Sequence, residues 1–538
     1  MLALADDPVL WTVASAIAIG VLAFILGRLD VPFRAYHTRL CERFILGVPW
    51  GSLVVIFGLF FVYLVIQRGW WHWYSPVVVA FTAVSMWDPT GLLLAGFSHA
   101  SPGHLRGNVT TTLVFAPIVE WIWGHYPRDR QSQRLTWTRR PVVRAVVLFP
   151  LGVAVIGIVA ALFSWGPVIG FSVAVYALVG ISLVHYPVLT LIALVTREAV
   201  RFAWRTLTHP VEFGRTTVRV VEPSWFGTAV QGHLVGLLLG VLVGLWLIRT
   251  YRETRPSPAM VFVATALTGT YLSIWGIWWI LGSDQFVLFR AAGLLVVLAV
   301  ATAVTLAVHP PSFGTDRYRR GAVLVIVIAV LGMGAVGIGL NLAVSEPPPG
   351  EPAHSVQDYD IYYGEQVPDG MVNVVDLEFL GLTTDVRTSG VIVVSEDRAV
   401  WRRTVSATEL ETHGHQRFHV GGIGWSEEVH AERRGWVPLG HAPVYHVWIG
   451  DGENAELAFE SEDQPVRAVV ENHTFELIAE DGGFHLNVSR DDTVESVPIP
   501  ADGEAVPVQD VIIVRQGPEV IVTTGETAMP VATRERYE

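Results

Sequence analysis

The 538-residue sequence predicts a membrane all-α bundle of ten spans followed by an all-β domain outside the membrane. Three observations carry that reading. First, 51% of the residues are hydrophobic and only 16% are charged, too apolar a balance for a soluble chain of this length. Second, crossing ~30 Å of hydrocarbon takes ~20 apolar residues, and such stretches occur near 8–27, 49–67, 103–124, 144–163, 170–186, 187–205, 228–248, 258–282, 285–308 and 321–345. Third, the charge balance changes sense near residue 345, with 24 arginines against 13 acids before it and 12 against 36 after it.

Residues 1–44 hold the first span and a basic loop. Asp6 and Asp7 precede the span instead of a basic region, and no small-residue cleavage site follows, so it reads as a retained helix and not as a signal peptide. The positive-inside rule puts four Arg-rich connections in the cytoplasm: Arg28, Arg34, Arg39 and Arg43; Arg128, Arg130, Arg134, Arg139, Arg140 and Arg144; 249–255; and 317–320. That threading places the N-terminus and the acidic C-terminal domain outside the cell membrane. Arg197, Arg201 and Arg205 run against it, at the outer end of the sixth stretch. There is no lysine, and the single cysteine, Cys41, falls in a cytoplasmic loop, so disulfides hold nothing together. The acidic domain keeps apolar strand patterns, as in VNVVDLEFL and GVIVVS, so disorder is not expected. Its self-repulsion is screened where salt at ~1 M shortens the Debye length to ~3 Å. A salt-loving archaeal source is expected.

Ionisable groups at membrane depth cost ~2.5–3.5 kcal/mol each on insertion scales, and three stretches carry polar groups without a bland excuse. In HASPGHLRGN, His104 and Asn108 are four apart and share one helix face, with His99 just upstream. Arg106 is on another face and reads as a snorkelling anchor. In WGPVIGFSVAVYALVG, Ser172 opens a span after a Gly-Pro turn, with Gly170 two residues before it and Tyr176 one turn on. A membrane serine ordinarily bonds its own helix; the glycine suits a sharp turn that would present the hydroxyl instead. In VQGHLVGLLLGVLVGLW, His233 shares its face with Gly236, Gly240 and Gly244. Such a histidine is commonly an interhelical hydrogen-bond partner, but this one rides a small-residue face made for close helix contact. Together these residues form a hydrolytic set: a hydroxyl nucleophile, an imidazole base and two donors for an oxyanion.

On these motifs the sequence resembles the rhomboid family of intramembrane serine proteases over roughly residues 45–250, a match that also takes in Glu120 and Gly124. The resemblance implies a six-helix catalytic core, with one extra N-terminal helix and about three extra helices at 251–345. It implies Ser172 as nucleophile, His233 as general base, His104 and Asn108 as oxyanion helpers, His99 lining their cavity, Tyr176 as the ring on which His233 rests, and no third acid. Gly236 and Gly240 support the histidine's helix. Glu120 would tie the first external loop to the third span, or serve as an ordinary buried polar partner. Two positions depart from the family pattern. Val173 puts bulk where a glycine normally follows the serine, and loop 69–98 offers Trp87-Asp88, with Trp70, Trp71, Trp73 and Tyr74 as interfacial aromatics, in place of a Trp-Arg pair.

SEPPPGEP at 345–352 makes residues 346–354 a stiff, Pro-rich linker, and 355–538 read as an acidic β-sandwich-like domain, or two small sandwiches. His413, His415, His419, His430, His441 and His446 read as scattered surface residues, because no HExxH or Cys/His spacing accompanies them; neither metal nor cofactor is expected. Asn472 and Asn487 begin glycosylation sequons. The expected activity is a Ser-His intramembrane endopeptidase acting on single-span membrane proteins within the lipid bilayer, with no nucleic-acid partner and the oligomeric state open. A rhomboid-like binding or adaptor protein is the alternative. A transporter ranks third, since the spans lack paired charges.

Overall fold

The computed structural model describes residues 33–124, 137–208, 229–251, 254–281, 285–309, 315–371, 386–452, 454–461, 468–490, 493–525 and 527–537, with a few single positions between 17 and 28. The expected first span, the arginines at 128, 130 and 134 and the VNVVDLEFL stretch therefore lie largely or wholly outside the described residues. The chain divides into a helical unit, the residues up to Leu342 apart from 77–80 and 280–285, and a second unit of those two segments and Ala343–Glu538.

The helical unit contains α1 (Phe33–Arg43), α2 (Trp50–Phe61) with a π-helical continuation over Val62–Ile66, α3 (Pro89–Leu94) and α4 (Pro102–Trp123). It continues through α5 (Pro141–Leu162), α6 (Ser172–His185), α7 (Pro187–Thr208), α8 (Val230–Tyr251), α9 (Pro258–Tyr271), α10 (Arg290–Val308) and α11 (Thr315–Leu342). Among the described residues, α5, α8, α10 and α11 are long and apolar enough to cross a membrane, and α2 with its continuation, α6 and α9 are shorter apolar helices. Apart from Ser172 and Tyr176, every residue of α6 is buried. A helix apolar on all sides belongs at the centre of a bundle, and α4, α5, α7 and α8 pack around it.

The closest packing is α8 on α6. A Cβ at Gly240 would stand 2.7 Å from the carbonyl carbon of Ala177, and Gly180 faces the Leu237 carbonyl so closely that no Cβ fits there. Backbone thus meets backbone, the contact that small residues at four-residue spacing allow.

Two expectations need correction. The stretch read as a span over 258–282 is helical only to Tyr271. Ser273, at φ +59°, turns the chain, and the aromatic and β-branched residues beyond it form a two-stranded sheet, β1 (Trp278–Leu281) with β2 (Gln285–Leu288). Glu120 does not tie the first external loop. Its carboxylate accepts from the Gly51 and Ser52 amides at 3.0 and 2.8 Å and from the Ser52 hydroxyl at 2.8 Å, at the start of α2, where helix N–H groups lack partners within their own helix. Arg197 and Arg201, whose placement runs against the charge threading, both pair with the single Glu198 on the same helix, at 2.9 and 3.0 Å.

Among the described residues from Ala343 onward the second unit is built of strands with one short α-helix, α12 (Ala407–His413), closed by a Ser406–Glu409 capping box and by Gly414 at φ +74°. One antiparallel four-stranded sheet runs through residues 354–406, another through 468–498, and an eight-stranded sheet through 415–460 and 505–534. Trp436, Val444, Val511, Ile513, Val520 and Val522 of the large sheet share one core with Phe475, Leu477, Leu486 and Val488 of the second, a sandwich contact. The C-terminal segment is anchored by Arg433, which forks onto Glu535 at 2.7 and 3.1 Å while Tyr537 donates to the same carboxylate at 2.8 Å.

The histidines here are not all on the surface: His419 and His446 are buried, each beside a carboxylate, Glu428 at 3.4 Å and Glu460 at 3.3 Å. Each of these inward-facing strand positions thus has an acid opposite it on the neighbouring strand. Burial pushes His446 below the ordinary imidazole range, partly offset by Glu460. A histidine depressed in the folded state contributes stability above its unfolded value near ~6.5 that is lost as pH falls through the folded value. In the full chain, amide exchange over Val444–Gly450, corrected for intrinsic rates, is therefore expected to accelerate as pH falls below the ordinary imidazole value near ~6.5. His446→Leu should flatten that acceleration; an unchanged pH slope in the variant would refute the assignment.

Candidate active site

HASPGHLRGN opens α4 for a local reason. Ser101 caps the helix, its hydroxyl accepting from the His104 amide at 3.2 Å, and Pro102 occupies the first turn. This start sets His104 and Asn108 on one face within the first two turns, and Asn108 is buried with no hydrogen-bond partner on its Nδ2 among the described residues. His99 is fully buried upstream, its ring edge-on to His104 at 5.1 Å. Its backbone is gripped on both sides by Gln67: the His99 amide donates to Oε1 at 2.8 Å, and Nε2 donates to the His99 carbonyl at 3.0 Å. Sequence reasoning passed over Gln67. The available signal was a lone carboxamide closing the apolar run SLVVIFGLFFVYLVIQ, where a polar side chain needs a partner.

The segment entering α6 is fixed along its length. Ala83 and Val168 exchange both backbone hydrogen bonds, at 2.9 and 3.0 Å, and the Gly170 amide donates to the Ala95 carbonyl at 2.8 Å. Helix α11 reaches the same segment, with Asn341 Nδ2 donating to the Ser164 carbonyl at 3.2 Å and Trp165 Nε1 donating to the Met333 carbonyl at 2.7 Å. Gly170 is required twice over. Its φ of +125° suits glycine, and a Cβ there would stand 2.6 Å from His104 Nε2, so the imidazole occupies the space a side chain would take. His104 is thereby held two residues from Ser172.

From the other side, α8 brings His233 to Ser172, Nε2 and Oγ lying 2.9 Å apart. The imidazole stacks on Tyr176 with ring centroids 4.1 Å apart and planes at 15°, and its Nδ1 has no hydrogen-bond partner among the described residues. The aromatic face thus orients the ring. Val173 is accommodated by the same helix. It is 2% exposed, and its methyls fill the groove left by Gly232 and Gly236, at 3.4 and 2.9 Å from where their Cβ atoms would be. The structure therefore collects Ser172, His233 and Tyr176, sets His104 and His99 beside them through Gly170, buries Asn108 one turn below His104, and leaves Glu120 apart, farther along α4 and bonded to the start of α2. Hydroxyl, imidazole and amide groups suffice for acyl transfer.

Residues 86–250 match the model of the Rhomboid domain, a segment that contains Ser172, His233, His104, Asn108, His99 and Tyr176. The match supports a rhomboid family member, and with the apolar helices it makes the chain a multi-pass membrane protein with an all-α core. Comparison with curated proteins and with solved structures finds no match. Gln67, helices α9 to α11 and the β unit lie beyond the matched residues.

Proposed function

We propose that the chain is an intramembrane serine endopeptidase that cleaves transmembrane or juxtamembrane segments of membrane proteins with a Ser172–His233 dyad. The observation that carries this reading is the 2.9 Å approach of Ser172 Oγ to an imidazole already oriented by Tyr176. Ser172 Oγ attacks the peptide carbonyl carbon while its proton passes to His233 Nε2. The oxyanion that forms takes hydrogen bonds from the Asn108 amide and a His104 ring N–H, donors held in place before reaction. The C–N bond then breaks, His233 returns the proton to the leaving amine, and water releases the acyl group from Ser172. Substrate helices must unwind locally, because a hydrogen-bonded backbone shields its carbonyls. The Arg-rich connections favour a cell-membrane protein with the acidic β unit outside, and the acidic surplus favours a halophilic, archaeal setting, so the assay belongs in molar salt.

The test uses the full chain in lipid vesicles with a single-span model substrate, beside Ser172→Ala. Product is expected from the wild type, with a rate at least ~10³-fold lower in the variant. Equal product from both rejects Ser172 as nucleophile. Product from neither overturns the protease reading in favour of a rhomboid-like binding protein.

A further inference from the structure

The ring beneath His233 is held by a part of the chain outside the Rhomboid match. Tyr176 donates its hydroxyl to the carbonyl of Leu272 at 2.8 Å, just past the end of α9. That carbonyl belongs to a tight turn. The Leu272 amide donates to the Thr268 carbonyl and the Ile274 amide to the Gly269 carbonyl, both at 2.9 Å, and Ser273 sits at φ +59°. Leu272 and Ile274 are buried in the core that also contains Phe171, Ala174 and Val175 of the nucleophile's segment. On its far side the turn leans on α10, where the Trp275 carbonyl occupies the space of a missing Cβ at Gly293. On its near side Gly276 approaches Val230 of α8, 3.4 Å from Val230 Cγ2 to the position of a Cβ, three residues before His233. One turn therefore touches both helices that carry the reacting pair.

A tyrosine in a dry bundle needs an acceptor for its hydroxyl. Fixing that hydroxyl, at the far end of the ring, also fixes the plane on which the imidazole lies.

Resting on the dyad reading, we infer that the turn 272–276 is a positioning element of the catalytic site: through the Leu272 carbonyl it fixes Tyr176, and through Tyr176 it keeps the His233 imidazole aligned with Ser172. Helices α9 and α10 are then working parts of the hydrolase. The core defined by the matched residues is incomplete without them.

The test reads Ser172 reactivity directly. A fluorophosphonate probe is added to the full chain in the same vesicles; Oγ bonds to phosphorus, fluoride leaves, and the proton goes to His233. The rate constant reports nucleophile activation, and the amplitude reports the number of folded sites. Tyr176→Phe keeps the ring and deletes the donor, and Gly293→Ala drives a methyl into the Trp275 carbonyl. Both are expected to lower the rate constant about tenfold, with kcat falling and KM unchanged, while the Tyr176→Phe amplitude stays at the wild-type level. Wild-type rate constants in both variants, or losses confined to amplitude, overturn the inference. A wild type that neither labels nor cleaves, or a Ser172→Ala chain that cleaves normally, removes the dyad reading instead.

Discussion

Gly240→Ala is expected to lower turnover by at least ~10²-fold, although residue 240 lies two turns from His233 and touches no reacting atom. The added methyl carbon would stand 2.7 Å from the Ala177 carbonyl carbon, inside α6, where the obstacle is helix backbone and cannot rotate away. Helix α8 must then shift outward by about 1 Å, carrying His233 with it, and a misplacement of that size is worth ~10² in rate. A 2.9 Å approach lengthened by that amount leaves hydrogen-bond range, so the serine proton loses its acceptor. Overpacking of this kind also destabilises by about 1–3 kcal/mol. Gly152 on α5 supplies the control, since a Cβ there meets nothing within 4 Å; Gly152→Ala should leave cleavage and melting unchanged. Activity within twofold of wild type for Gly240→Ala would mean that the two helices are not in backbone contact.

The glycine stripe was legible because small residues repeat with the helical period, and so was the shared face of His104 and Asn108, a matter of spacing four. The meeting of Ser172 with His233 was not legible in that way. They are 61 residues apart, and only the likeness of the surrounding motifs suggested a common site. Val173 shows why a residue-by-residue comparison misleads. Its bulk beside the serine looks obstructive until Gly232 and Gly236, on another helix, are seen to make room for it. Leu272 was invisible for a different reason. It acts through a backbone carbonyl, which every residue has, so no residue type marks the position. The eighth apolar stretch was overread because hydropathy averages over a window and registers neither the turn at Ser273 nor the paired strands beyond it. In the β unit the apolar run GVIVVS was readable and corresponds to the strand Arg387–Ser395, where each of its six residues is buried. The burial of His419 and His446 was not, since it depends on acids paired across strands.

Glu120→Ala should be the most destabilising single change in the helical unit, by about 3 kcal/mol or more. The carboxylate is fully buried and takes three hydrogen bonds, two of them from amides in the first turn of α2. Those amides have no carbonyl behind them, and the positive end of the helix dipole favours an anion there. In hydrocarbon the orphaned donors cost several kcal/mol. The damage should also travel: α2 continues through its π turn to Gln67, whose grip on His99 shapes the candidate site, so activity is expected to fall with stability. Glu120→Gln keeps one acceptor oxygen but turns an N–H₂ toward a donor, and belongs between wild type and alanine. Ser52→Ala removes one bond and should cost about 1 kcal/mol. Denaturant titration of the three purified variants gives the order, and a Glu120→Ala chain within about 1 kcal/mol of wild type would show that α2 is held to α4 by apolar packing alone.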